Sequence, residues 1–158
     1  MLRFSSCDVV LQEVPNEISL CFTITGCQLA CEGCHSEYIW NPENGEELTP
    51  ELFQTLINKY KPTISCILFM GGEWRNQELL GLIRTAKLEQ LKVALYTGLN
   101  IKQVHRKYPE LLDELDFIKT GKWISKLGGL DSPTTNQEFL DIKSGEILNQ
   151  YFQVKNQS

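Results

Sequence analysis

The sequence lacks any apolar run long enough to cross a bilayer; its longest, "CILFM" from Cys66 to Met70, has the length of a core strand. It lacks a lysine- or arginine-rich run as well. Acids and bases are interspersed at a formal net charge of −5, which argues against a nucleic-acid partner. The opening "MLRFSSCDVVLQEVPNE" has no continuous apolar stretch and carries acids early, so no secretory signal is expected. No repeat, low-complexity tract or linker divides the chain, and one domain over 1–158 is expected. Without membrane or export signals, the expected location is the cytoplasm. Disulfides are a poor use of cysteine there, and metal ligation or catalysis a better one.

What the sequence does have is a core-forming hydrophobic content of 42% and a strand–helix alternation. "DVVLQEVPNEISLCFTIT" reads as two extended pieces around a turn at Pro15–Asn16, the second being Ser19 to Ile24. "EYIWNPENGEELTP" is a turn-rich polar crossing. Thr49 and Pro50 then start a helix with Leu52, Phe53, Leu56, Ile57 and Tyr60 at helical spacing, closed by Pro62. "SCILFM" is a strand buried on both faces, and Asn76 is expected to cap a helix carrying Leu79, Leu80, Ile83 and Leu88. "KVALYTG" and "LDFIKTG" are further strands, separated by a short helix that Asn100 caps and Pro109 interrupts. "QEFLDI" and "NQYFQV" read as extended, an edge hairpin.

This alternation predicts an α/β domain with a mainly parallel sheet, an open partial barrel, since the strands are too few to close an eight-stranded one. In such sheets chemistry gathers beyond the carboxyl ends of the strands. Those ends carry, in order, the stretch "TGCQLACEGCH", "GGEW", "YTG" and "KTG".

Cys27, Cys31 and Cys34 fall within that eleven-residue stretch, while Cys7, Cys21 and Cys66 are scattered and read as small buried hydrophobes. Thiolates select zinc, copper(I) or iron–sulfur clusters. A structural zinc normally takes four ligands, yet there is no second C-x-x-C. His35 directly follows Cys34, and since adjacent side chains usually diverge, both on one tetrahedron would need a contorted turn; His105 lies in a distant predicted helix. A 4Fe–4S cluster held by three cysteines keeps one iron open to a small molecule. A closed zinc site could be completed only if a scattered cysteine folded back. Spacing alone does not choose between the two.

"CQLACEGC" is C-x-x-x-C-x-x-C, and here the chain resembles the radical S-adenosylmethionine superfamily. "GCQLACEGCHSE", "GGEW", "LYTG", "DFIKTGKW" and "SPTTNQEFLDI" are similar, in order and spacing, to the activating enzymes of the anaerobic (class III) ribonucleotide reductases. The resemblance runs over residues 4–142. It implies that Cys27, Cys31 and Cys34 ligate a 4Fe–4S cluster whose open iron binds S-adenosylmethionine. It further implies that Gly71, Gly72 and Glu73 meet the amino group of the methionine moiety. Gly33, the Cys34 backbone and His35 would lie beside the adenosine, with Thr97 and Gly98 near the cofactor. The implied activity is formation of a 5′-deoxyadenosyl radical that takes a glycine hydrogen from the large reductase subunit, with electrons from a flavodoxin-like donor.

The chain departs from the family at Glu32-Gly33, where Pro-Gly is common, at Ser36-Glu37, and at Trp74, where proline is usual. Two other readings stand beside this one: the same chemistry on another glycyl-radical enzyme or a small molecule, and a non-catalytic zinc module. Blander roles also compete residue by residue. Gly71-Gly72 alone is a turn, Glu73 alone a solvated acid and His35 an ordinary surface histidine. Trp40, Trp74 and Trp123 read as packing residues, Lys119 and Lys122 as surface charges. Asn136 and Gln137 fit either a partner-facing stretch or a strand edge.

Overall fold

Alternating apolar residues on four short strands force a sheet that is covered on both faces. The computed structural model, which describes residues 2–26 and 45–153, shows how. Seven strands run in the order β3-β1-β2-β4-β5-β6-β7. They are β1 (Arg3–Val10), β2 (Ser19–Ile24), β3 (Glu46–Glu47), β4 (Cys66–Met70), β5 (Lys92–Tyr96), β6 (Phe117–Thr120) and β7 (Glu138–Asp141). The four central strands, β2, β4, β5 and β6, are parallel neighbours; β1, β3 and β7 join antiparallel at the flanks. The parallel sheet expected from the sequence is therefore its centre, with antiparallel additions on either side.

Register places Leu20, Ile67 and Val93 side by side, with Phe22, Phe69 and Leu95 two residues on. With Ile24 and Ile118 they face the helices α1 (Pro50–Tyr60), α2 (Asn76–Leu88), α3 (Ile101–Lys107) and α4 (Pro109–Glu114). Phe53 of α1 lies between Phe22 and Phe69, with ring centroids 5.4 and 5.8 Å away. Because strand side chains alternate, Cys21, Cys66, Leu68, Ala94 and Phe117 point to the other face. Among the described residues, no helix of a strand–helix–strand unit covers that face. Val14 from the β1–β2 turn, Leu130 from the β6–β7 connection, and Leu148 and Phe152 from the last segment do so.

Local chemistry explains most boundaries. Thr49 accepts the Leu52 N–H at 3.1 Å with Pro50 at the first helical position, and Asn100 and Gln103 form a reciprocal capping box. Pro109 ends α3 and opens α4. Three expectations are corrected. Asn76 does not cap α2: a 3-10 turn over Glu73–Arg75 feeds straight into the helix, so Asn76 is already its first residue. Leu88, at the helix end, is exposed, and Leu82 and Ala86 complete the buried stripe instead. "NQYFQV" is not extended, because Gln150–Gln153 forms a helical turn, α5. Asn149 accounts for it: its side chain accepts the Phe139 N–H at 2.8 Å and donates to the Gln137 carbonyl at 2.8 Å. Those bonds take the place of a strand partner there, and the chain turns away. No helix among the described residues is long and apolar enough to cross a membrane.

Candidate functional site

Hydrogen bonds that continue past the strand ends bring the predicted motifs to one rim. Thr25 N–H donates to the Arg3 carbonyl, Gly71 N–H to Tyr96, Thr97 N–H to Lys119 and Gly121 N–H to Leu99, all at 2.8 to 2.9 Å. Thr25-Gly26, Gly71–Glu73, Thr97-Gly98 and Thr120-Gly121 thus stand together at the carboxyl ends of β2, β4, β5 and β6. Cys27, Cys31, Cys34, Gly33 and His35, and also Trp40, lie outside the described residues. Gly26, the residue that precedes Cys27, stands on this same rim.

Gly71 and Gly72 both take positive φ, 88° and 108°, which turns the chain sharply from β4 into the 3-10 turn. A side chain on Gly71 would also run into Trp74, since its Cβ would lie 2.7 Å from the indole Cη2. The usual proline after the acid is thus replaced by an indole that fills the underside of the turn.

That turn drives Glu73 inward. It is 4% exposed, not the solvated loop acid that it would be alone. Its Oε1 accepts the Thr97 hydroxyl at 2.8 Å, while Oε2 is buried with no hydrogen-bond partner among the described residues. Burial pushes the Glu73 carboxyl above the usual range; the Thr97 hydroxyl, its own backbone N–H and the Lys119 charge oppose this only in part. Thr97 is itself buried, and its hydroxyl accepts the Leu99 N–H at 3.1 Å. Gly98 occupies the half-buried bend that follows.

The second face of the sheet contributes residues that a motif search overlooks. Tyr96 and Lys119 are register partners, and the Lys119 amine sits 5.3 Å from the centre of the Tyr96 ring. Lys119 is half-buried, more than the surface charge expected of it. The Tyr96 hydroxyl donates to the Glu13 carbonyl, tying β5 to the β1–β2 turn. A cavity of about 320 Å³ opens here, lined by Glu13, Tyr96, Lys119, Leu130, Gln137 and Phe152. A larger one, about 350 Å³ between the β1–β2 turn and Tyr151, touches none of the residues at the strand-end rim. The alternation of "KVALY" and "DFIKT" carried the signal for Tyr96 and Lys119, since both fall on the strand positions that face away from the helices.

Asn136 and Gln137 have a structural role. Gln137 donates to the Gly121 carbonyl at 3.2 Å and Asn136 to the Lys122 carbonyl at 3.0 Å, pinning the β6–β7 connection across the rim. Gly121 is the tight point: φ is 107°, and a Cβ there would lie 2.9 Å from Gln137 Cα and 3.1 Å from the Asn136 carbonyl oxygen. Backbone cannot yield as a side chain tip can. Gly121→Ala is expected to cost about 2–3 kcal/mol of stability. Chemical denaturation checks this; an unchanged midpoint would contradict the close approach.

With this rim in place, the comparisons with known proteins have a structural counterpart. Residues 18–140 match the family described as 4Fe-4S single cluster domain, a span that includes all three clustered cysteines and the rim motifs. The chain belongs to that family. It is 28% identical over 111 residues to the anaerobic ribonucleoside-triphosphate reductase-activating protein of Enterobacteria phage T4, a match covering 66% of this chain and 70% of that protein. It is also 28% identical over 99 residues to the pyruvate formate-lyase-activating enzyme of Clostridium pasteurianum, covering 59% of this chain but 40% of the relative. Both relatives are activating proteins of other enzymes.

Proposed function

We propose that this chain is a radical S-adenosylmethionine activase that installs a glycyl radical on a partner enzyme, with its sheet forming the open partial barrel of that fold as one domain. Cys27, Cys31 and Cys34 hold a 4Fe–4S cluster, a role suited to three soft thiolates in a C-x-x-x-C-x-x-C spacing with no second C-x-x-C in the chain. Once loaded with S-adenosylmethionine, the cluster supplies a 5′-deoxyadenosyl radical. Everything else is positioning and exclusion of water by the chain.

The observation that carries this reading is Glu73. A buried carboxyl oxygen without a partner, set directly after a double glycine on the rim that also holds Gly26, suits an amino-group N–H. Gly71 and Gly72 let the backbone approach the methionine moiety, Thr97 and Gly98 support it from β5, and Gly33, the Cys34 backbone and His35 flank the adenosine. The intended target is the large subunit of an anaerobic ribonucleotide reductase, acted on in the cytoplasm with electrons from a flavodoxin-like donor. The share of each relative that the chain covers favours this target over a pyruvate formate-lyase.

Anaerobic reconstitution with iron and sulfide, followed by electron paramagnetic resonance of the reduced cluster, tests the proposal. S-adenosylmethionine is expected to change the cluster signal, and incubation with the reductase large subunit to produce a glycyl-radical signal in that subunit. A colourless protein holding stoichiometric zinc and no iron would sink it.

A further inference from the structure

The two oxygens of Glu73 are in different situations, and Thr97 makes them so. The Thr97 hydroxyl lies between the Leu99 N–H, at 3.1 Å, and Glu73 Oε1, at 2.8 Å. An N–H only donates, so Leu99 occupies a lone pair of Thr97 and leaves the hydroxyl hydrogen for Glu73. The opposite polarity would strand that hydrogen in a buried place. Oε1 is therefore an acceptor. Oε2 has no donor among the described residues. A buried carboxylate with a single side-chain donor costs more than the neutral acid, whose one unpartnered O–H is a smaller penalty than an undercompensated charge, and the acid's hydrogen belongs on Oε2 because Oε1 already faces a donor.

We infer that Thr97 is a positioning residue that commits Glu73 Oε1 as an acceptor, so that Oε2 carries a proton in the free protein and releases it to solvent when an amino-group N–H of the cofactor docks there. This rests on the amino-group role proposed for Glu73. The balance is simple: the acid becomes a carboxylate, one proton leaves, and only a hydrogen bond forms to the ligand.

The surroundings agree. Lys119 on β6 favours the charged form, and Tyr108, between α3 and α4, is close enough to feel the charge of Glu73. Burial outweighs Lys119, and the net direction for Glu73 is upward. With a proton to remove, affinity for S-adenosylmethionine should strengthen as pH rises toward the Glu73 value of the free protein and level off above it.

Infrared difference spectra of the reconstituted protein, with and without S-adenosylmethionine and with ¹³C-labelled glutamate, test this beside affinities measured across pH. The ligand is expected to remove one protonated-carboxyl band, a band that Glu73→Gln lacks from the start. Thr97→Val, which loses the donor to Oε1, should weaken binding about tenfold on the acid side and converge on wild type at alkaline pH. Thr97→Ser should follow wild type throughout. Binding without loss of a carboxyl band overturns the inference and leaves the proposed function standing. A Thr97→Val profile parallel to wild type removes the positioning role. Failure of the reconstituted wild type to bind S-adenosylmethionine strikes the proposed function itself, and the inference with it.

Discussion

Alanine at any one of Cys27, Cys31 or Cys34 is expected to reduce cleavage of S-adenosylmethionine to background, whereas alanine at Cys7, Cys21 and Cys66 together leaves a cluster of the same spectral type. The contrast rests on where the second group sits. Cys21 and Cys66 are buried in β2 and β4, and Cys7 is half-buried on β1. Burial pushes the Cys7 thiol up to about 11 and those of Cys21 and Cys66 to about 12, with nearby acids adding to the rise. They are thiols at neutral pH, while an iron–sulfur ligand must be a thiolate. Among the described residues, no group of three His, Cys, Asp or Glu is arranged to hold a metal ion. A cluster held by three cysteines has no protein ligand to spare, so losing one should cost the whole activity. Iron and sulfide analysis with a cleavage assay, all anaerobic, reads both arms. Cleavage retained by a single variant, or a cluster lost from a folded triple variant, means that the ligands are misassigned.

Features carried by short-range chemistry are legible in the sequence alone. A three-thiol motif is a matter of covalent spacing, and the Thr49–Pro50 and Asn100–Gln103 helix starts are settled within four residues. So is the rim, because each central strand ends in glycine-containing sequence and parallel strands put those ends together. What escaped depends on partners far along the chain. β3 is two residues long and exists only through its pairing with Arg3 and Phe4. The turn at Gln150–Gln153 follows from bonds that Asn149 makes with β7. Burial of Glu73 is of the same kind: "GGE" does not disclose that Thr97, 24 residues on, will meet its carboxyl. Asp116 is the clearest case, an acid in "LDFIKTG" with nothing local to mark it.

Asp116→Ala is expected to be the most destabilising single change outside the hydrophobic core. The residue is 5% exposed at the entry to β6. Its Oδ2 accepts the Val93 N–H at 2.9 Å and the Lys87 amine at 2.7 Å, and its Oδ1 accepts the Lys143 amine at 2.9 Å. Its backbone meets Val93 and Ile142. One carboxylate thus joins the last turn of α2, the start of β5 and the turn after β7. Lys143 is largely exposed and adds little. The loss comes from stranding the buried Val93 N–H and breaking the half-covered Lys87 pair, about 2–4 kcal/mol together. That corresponds to a fall in Tm of about 5–12 °C. Asp116→Asn, which keeps a carbonyl oxygen for Val93, should lose about half as much. Protonation must reproduce the effect. Burial alone would raise the Asp116 carboxyl, but Lys87, Lys143 and the Val93 N–H outweigh it and hold the group below the usual range. A lowered folded value stabilises above the unfolded value, near pH 4, and that stabilisation disappears as pH falls through the folded value. The gap between wild type and Asp116→Ala should therefore narrow steadily in acid. Unfolding curves at neutral pH and at successively lower pH measure it, and a gap that stays constant would show that charge at this junction contributes nothing.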